Sequence, residues 1–167
     1  MKHKKFSFLI IAVALFVSNT YAAIPKGGNW GAGIFLGRPL AITAKNVISE
    51  KNAIDMGFGY SWGNSVLFYG DYLFAFPNTF DTESSFINDL IPYVGGGLQL
   101  EFYDSDHKRV IHSEGHSTVF STRFPLGLAW EIPKAPVELY IEAAPILHIA
   151  PGLAFDMSAG IGARYYF

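Results

Sequence analysis

The sequence contains no cysteine among its 167 residues. A disulfide scaffold, a thiolate metal site and a lipoprotein anchor, whose acylated residue is a cysteine, are therefore excluded. Charge is also scarce, because 16% of the residues are charged whereas a soluble domain averages about 25%. With 12 Lys and Arg against 14 Asp and Glu, the chain offers no basic surface for nucleic acid. Its 50% hydrophobic and 16% aromatic content indicates one compact domain that is apolar at its surface or embedded in a membrane.

The N-terminus has the features of an export signal. Lys2, Lys4 and Lys5 precede an apolar run of about 12 residues, 6–17, and the stretch 18–23 that follows ends in the small residues Ala22 and Ala23. This pattern predicts a secretory signal peptide, 1–22, cleaved after Ala22, since a membrane-spanning helix would need about 20 apolar residues. Cleavage removes three of the 12 basic residues and no acid, so the net charge moves from −2 to −5. Residues 23–167 are predicted to form a single domain.

Long hydrophobic runs are absent beyond the signal, and no stretch shows the apolar stripe of a helix. Large apolar residues instead occupy every second position, as in the segment from Ile54 to Trp62, where small or polar residues fill the alternate positions. Short breaks rich in Gly, Pro, Asn or Ser separate such segments and favour antiparallel hairpins. We therefore predict an all-β, eight-stranded antiparallel up-and-down transmembrane β-barrel, with strands near 29–36, 40–48, 54–62, 66–74, 93–102, 121–131, 137–144 and 155–167.

Alternation alone fits two kinds of barrel. A soluble periplasmic lipocalin-like barrel would turn the apolar face inward around a small hydrophobic ligand, whereas an outer-membrane barrel would turn it towards lipid. Glycines and charges share one face, as Asp55 does with Gly57 and Gly59, which suits a crowded narrow interior. The other face is nearly free of charge and carries aromatic residues near the strand ends, as membrane barrels do at their two interfaces. These features favour the outer-membrane barrel and leave the lipocalin-like barrel as the alternative.

A more specific resemblance comes from residues 159–167, where Ile161, Ala163, Tyr165 and Phe167 alternate with other residues. They resemble the C-terminal signature that the outer-membrane assembly machinery recognises in bacterial barrels. The mature chain as a whole resembles the small OmpA/OmpX-type eight-stranded outer-membrane barrel superfamily. Segments 125–128, 143–147 and 160–167 are similar to uncharacterised spirochaetal-type outer-membrane barrel proteins. The resemblance implies a bacterial outer-membrane location, lipid and the assembly machinery as partners, and no cofactor.

One feature departs from this resemblance. If the N-terminus lies in the periplasm, the connection 77–89 is at the periplasmic end, where such barrels usually have short turns.

The inward-facing positions predict a network of charges in the barrel interior. Because an unpaired buried ion costs several kcal/mol, these charges must pair or be neutralised, which favours a structural plug over a gated narrow pore. Arg123 and Arg164 are the expected centres, since a guanidinium can hold two carboxylates. The excess of acids predicts that one or two of Glu138, Glu142 and Asp156 are protonated or bridged by water. The full predicted set is Lys45, Asp55, Asp71, Glu101, Arg123, Glu131, Glu138, Glu142, Asp156 and Arg164.

The longest inferred loop, 103–116, contains His107, His112 and His116 together with several acids. It is the candidate surface for an extracellular ligand, although its lack of apolar periodicity favours a solvated loop over a metal site. A lipid-modifying outer-membrane enzyme is a further alternative. No catalytic residue is predicted, because His148 stands alone near a strand end and no nucleophile–base pair is evident.

Overall fold

The computed structural model describes residues 27–61, 65–103 and 118–167, and most of them lie in antiparallel strands. The predicted signal peptide and loop histidines lie outside these residues. The strands are β1 (Trp30–Arg38), β2 (Leu40–Ser49), β3 (Asn52–Ser61), β4 (Ser65–Ala75), β5 (Leu90–Tyr103), β6 (Thr118–Arg123), β7 (Leu126–Glu131), β8 (Val137–Ala150) and β9 (Ala154–Tyr166). One short helix within these ranges, α1 (Ser85–Asn88), lies between β4 and β5.

The strands close into a barrel in sequence order. Consecutive strands pair with each other, except for β6 and β7, and β1 pairs with β9 to complete the ring. Strands β6 and β7 both lie between β5 and β8, so they occupy one position and the ring has eight positions. The predicted eight-stranded antiparallel architecture is confirmed.

Two strand boundaries differ from the sequence-based expectation. The segment expected as one strand over 121–131 is interrupted after Arg123, because Pro125 has no N–H to donate to a ladder. The pairing with β5 resumes without a register shift, from Gly97 opposite Arg123 to Val94 opposite Leu126. Strand β8 was expected to end before Pro145 but continues to Ala150. Pro145 lies beside the interruption and its carbonyl accepts a hydrogen bond from the Phe124 N–H at 3.0 Å.

The two ends of the barrel have different connections. We call the rim at which β1 begins and β9 ends the terminal end, and the opposite rim the distal end. The terminal end carries the β2–β3 turn, the long connection 76–89 with α1, and the β7–β8 turn. The distal end carries the β1–β2 and β8–β9 turns. An even number of ring positions places both chain ends at the same rim.

The apolar face of every strand points outward. Leu126, Ile141 and Ile161 are each about half exposed, as are most of the large apolar residues on β1 to β5. The alternate positions point inward and are buried, including the charged side chains of Asp55, Arg123 and Arg164. This arrangement is the reverse of a lipocalin-type interior and contradicts that alternative.

Glycine and tyrosine face one another across the inner wall. Four glycines lie directly opposite a tyrosine of the neighbouring strand, and a Cβ added to any of them would press into the tyrosine ring. The missing side chain lets each ring lie flat against the neighbouring strand, an arrangement that helps to fix strand register. The pairs are Gly31–Tyr166, Gly57–Tyr69, Gly127–Tyr93 and Gly162–Tyr140.

Candidate functional site

The first of two arginine-centred clusters in the barrel interior surrounds Arg164 on β9. Its Nη1 donates to Glu138 Oε1 at 2.7 Å and its Nη2 to Asp55 Oδ2 at 2.8 Å. Its Nε donates to Thr43 Oγ1 at 3.2 Å, and the guanidinium carbon lies 3.8 Å from the centroid of the Tyr140 ring. One guanidinium therefore links two carboxylates, a hydroxyl and an aromatic face, as its planar fork of donors permits.

Glu138 extends this cluster towards the terminal end. Besides Arg164, it accepts hydrogen bonds from Lys45 Nζ at 2.6 Å and from the Tyr166 hydroxyl at 3.0 Å. Glu138 is fully buried, whereas Lys45 keeps about an eighth of its side chain exposed. Each oxygen of this carboxylate consequently has a charged donor, which offsets the cost of burying it.

The second cluster surrounds Arg123 on β6. Its Nε donates to Asp71 Oδ2 at 2.7 Å and its Nη2 to Glu142 Oε1 at 2.6 Å. Glu142 also accepts from the Tyr93 hydroxyl at 2.8 Å, and the guanidinium carbon lies 4.0 Å from the centroid of the Tyr69 ring. The two arginines expected from sequence to be centres of the network each bridge two carboxylates.

The charges of the two clusters do not balance. Lys45, Arg123 and Arg164 face four carboxylates, so the two clusters together carry one surplus acid. Asp55 and Asp71 lie directly opposite each other on β3 and β4, and the Oδ1 atom of each has no hydrogen-bond partner among the described residues.

Both carboxylate oxygens of Glu138, Glu142 and Asp156, the residues expected from sequence to be protonated or bridged by water, accept hydrogen bonds. The unpartnered oxygens lie on the two aspartates instead, where one shared proton would cancel the surplus charge. The protonation of Glu138, Glu142 or Asp156 stays a prediction.

Three predicted members of the network lie outside the two clusters, and one of them, Glu131, lines the cavity at the terminal end. Asp156 is not in the buried clusters, because β1 ends beside it and leaves it near the distal rim, where it pairs with Arg38 at 2.9 Å. Glu101 is buried but separate from both arginines. Ser65 and Gln99 donate hydrogen bonds to it, and no Lys or Arg of the described chain forms an ion pair with it.

His148 is not isolated, contrary to the expectation from sequence. Its Nδ1 lies 2.7 Å from the Ser121 hydroxyl, and both side chains are buried in the interior near the distal end. The two residues lie opposite each other in the β6–β8 pairing, in the same register as the next pairs Thr122–Leu147 and Arg123–Ile146. Neither side chain reaches the outer surface, so the pair could not act on a lipid lying against the outer wall. Sequence spacing gave no signal for this contact.

The terminal end opens into a cavity of about 230 Å³. Its charged lining residues are Lys45, Glu50, Glu131 and Glu138, and its apolar ones include Leu73 and Ile91. Glu131 lies opposite Glu138 in the β7–β8 pairing. The inner clusters close the floor of this cavity, so it is a vestibule at one mouth of the barrel.

The residues of the assembly signature lie on the outer face. Ile161, Tyr165 and Phe167 are all more than half exposed, and Ala163 shares their face of β9. Within the described ranges, no group of three His, Asp or Glu residues could hold a metal ion. No helix among the described residues is long and apolar enough to span a membrane.

Comparison with known proteins gives a likeness in fold. No protein-family model and no curated protein matches the chain. Among solved structures, it is similar to the N-terminal β-barrel domain of Pseudomonas aeruginosa OprF, with a TM-score of 0.63 and 16% sequence identity. The match covers 85% of this chain and 100% of that domain. The likeness supports an OmpA-type barrel fold, whereas the narrower similarity to spirochaetal-type barrels stays a prediction.

Proposed function

We propose that this chain is an integral protein of the bacterial outer membrane, with a structural or surface-interaction role rather than an enzymatic one. The observation that carries the proposal is the inverted distribution of polarity. A continuous apolar outer face encloses buried ion pairs, as in Arg164 with Asp55 and Arg123 with Asp71. In water, an outer face of this kind would be an extensive exposed apolar patch, whereas in a bilayer it is solvated by lipid.

In this proposal the terminal end faces the periplasm and the distal end faces the exterior. The segment 1–22 directs export and is removed. The assembly machinery then engages the signature formed by Ile161, Ala163, Tyr165 and Phe167. The loop 103–116, with His107, His112 and His116, offers the surface for an extracellular ligand, because exposed loops on a rigid barrel commonly carry binding functions.

The interior acts as a plug and not as an open channel. Two arginine clusters cross the middle of the barrel, and an eight-position ring has room only for side chains there.

Fractionation of the expressed protein tests the proposal. The mature chain should partition with outer membranes, require detergent for extraction, and migrate differently on gels with and without boiling. A protein that stays in the aqueous fraction without detergent and shows no shift on heating would refute the membrane assignment. A matched chain with Leu126→Arg on the outer face should lose the heat-dependent shift more readily than the parent protein.

A further inference from the structure

The connection 76–89 at the terminal end is a built structure. Thr82 and Asn88 close it, because the Thr82 N–H donates to Asn88 Oδ1 at 2.9 Å and Asn88 Nδ2 donates to the Thr82 carbonyl at 2.9 Å. The hydroxyl of Thr79 donates to the Phe76 carbonyl, and the Phe76 N–H donates to the Pro92 carbonyl at 2.8 Å. These bonds hold α1 in one place relative to the barrel wall.

The closed connection places α1 against the outside of the barrel. The ring of Phe86 packs edge-on against Trp130 of β7, with centroids 5.1 Å apart and an interplanar angle of 72°. Trp130 points outward, since its neighbours Ala129 and Glu131 line the terminal cavity. The helix therefore lies beside the mouth of the barrel and does not cap it.

The exposed face of α1 is apolar, and no described residue buries it. Phe86 is 51% exposed, Ile87 is 38% exposed, and no residue of the helix is buried. Through Trp130, this patch is continuous with the outward apolar face of β7 and β8, which includes Leu128 and Leu139. An aromatic pair at the edge of an apolar band matches the residues that membrane proteins place at the lipid–water interface.

The charges around the patch favour an apolar partner. The connection carries Asp81, Glu83 and Asp89 and no Lys or Arg, so it has no electrostatic attraction for an anionic headgroup or an acidic protein. All three acids are exposed and can remain in water while the two apolar side chains are covered. The fitting partner is the interfacial layer of a zwitterionic phospholipid leaflet.

We propose that α1 is an interfacial anchor, which inserts Phe86 and Ile87 into the membrane leaflet at the terminal end of the barrel. The inference rests on the proposed membrane location and deepens it. It also gives the long connection at this end a role, because a short turn has too few residues to place a helix against the outside of the barrel.

Because the native chain has no cysteine, single labelling sites can test the anchor directly. The full mature protein would be folded into phosphatidylcholine vesicles with an environment-sensitive dye on Ile87→Cys, with iodide as the aqueous quencher on both sides of the membrane. Glu83→Cys is the matched exposed control on the same connection, and Leu126→Cys is the control within the outer apolar face. The dye at position 87 should be quenched several-fold less by iodide than the dye at position 83, and should be quenched by a shallow lipid-borne nitroxide.

The outcomes separate the anchor from the membrane assignment. Lipid quenching at position 126 combined with full iodide access at position 87 would overturn the anchor and leave the membrane barrel intact. Loss of lipid quenching at position 126 would overturn the barrel's membrane location, and the anchor with it. Shielding of position 87 from iodide without lipid quenching would mean that protein covers the helix, which also overturns the anchor. Adding Phe86→Ala should restore iodide access at position 87 several-fold, and an unchanged value would contradict the role of Phe86.

Discussion

Two arginine–aspartate bridges of nearly equal length differ in burial and so isolate the effect of the barrel interior. Arg164 and Asp55 are 2.8 Å apart with side chains at most 1% exposed, whereas Arg38 and Asp156 are 2.9 Å apart at 58% and 30% exposure. Replacing Arg164 by methionine removes the only donor that the described residues give Asp55, while Glu138 keeps Lys45. We expect Arg164→Met to lower the free energy of unfolding by about 3–5 kcal/mol. The exposed pair should contribute about 0–1 kcal/mol, so Arg38→Met should cost no more than this.

The assay is equilibrium unfolding in urea of protein folded into phosphatidylcholine vesicles, followed by tryptophan fluorescence and by the heat-dependent gel shift. A double-mutant cycle with Asp55→Asn separates the bridge from general damage. Once Asp55 is neutral, Arg164→Met no longer leaves a buried charge without a partner. The double variant should therefore be more stable than the sum of the single variants predicts, by about 1–3 kcal/mol. Equal losses for Arg164→Met and Arg38→Met, or strict additivity in the cycle, would refute the buried network as described.

Four further predictions test other parts of the barrel. Leu126→Arg on the outer face should lower the free energy of unfolding in vesicles by about 2–4 kcal/mol, whereas Leu153→Arg in the distal β8–β9 turn should change it little. Equal losses for the two variants would contradict the outward orientation of Leu126 on β7. Gly162→Ala presses a methyl group into a tyrosine ring and should cost about 1–3 kcal/mol in urea unfolding, whereas the open site at Gly70 should accept alanine freely. Asp71→Asn removes the surplus acid and should destabilise the barrel less than Glu138→Gln, and the reverse order would place the surplus elsewhere. His148→Ala should lower stability by about 1–3 kcal/mol through the lost Ser121 contact while leaving membrane lipid composition unchanged, and a changed composition would support the enzyme alternative.

The fold could be predicted from sequence because large apolar residues alternate with small or polar ones along the strands. Ile54, Met56 and Phe58 already divide β3 into two faces, and the position of Asp55 among glycines indicates which face is inside. Strand ends were less predictable where proline was involved. Pro125 separates β6 from β7, whereas Pro145 lies within β8 without ending it. The effect of a missing N–H depends on whether the neighbouring strand has an acceptor that needs it.

The ionic partners could not be predicted, since they depend on register between strands that are distant in sequence. Asp55 and Arg164 are 109 positions apart, yet the ring brings them into contact. The same limitation concealed Ser121 beside His148 and the tyrosine rings beneath both arginines. It also misplaced Asp156, because alternation gives the direction of a side chain but not its height in the barrel.

The buried ion pairs are better explained by register than by stability. A buried salt bridge frequently contributes little net free energy, because desolvation offsets the attraction between the charges. A shift of one residue in any strand would, however, turn its inward charge outward. In the proposed bilayer location, an outward arginine would cost up to about 2–4 kcal/mol at the midplane, and the carboxylate left inside would lose its partner as well. We infer that the ionic network favours one strand register among the many that the alternating apolar residues would allow. The opposed glycine–tyrosine pairs favour the same register by steric fit.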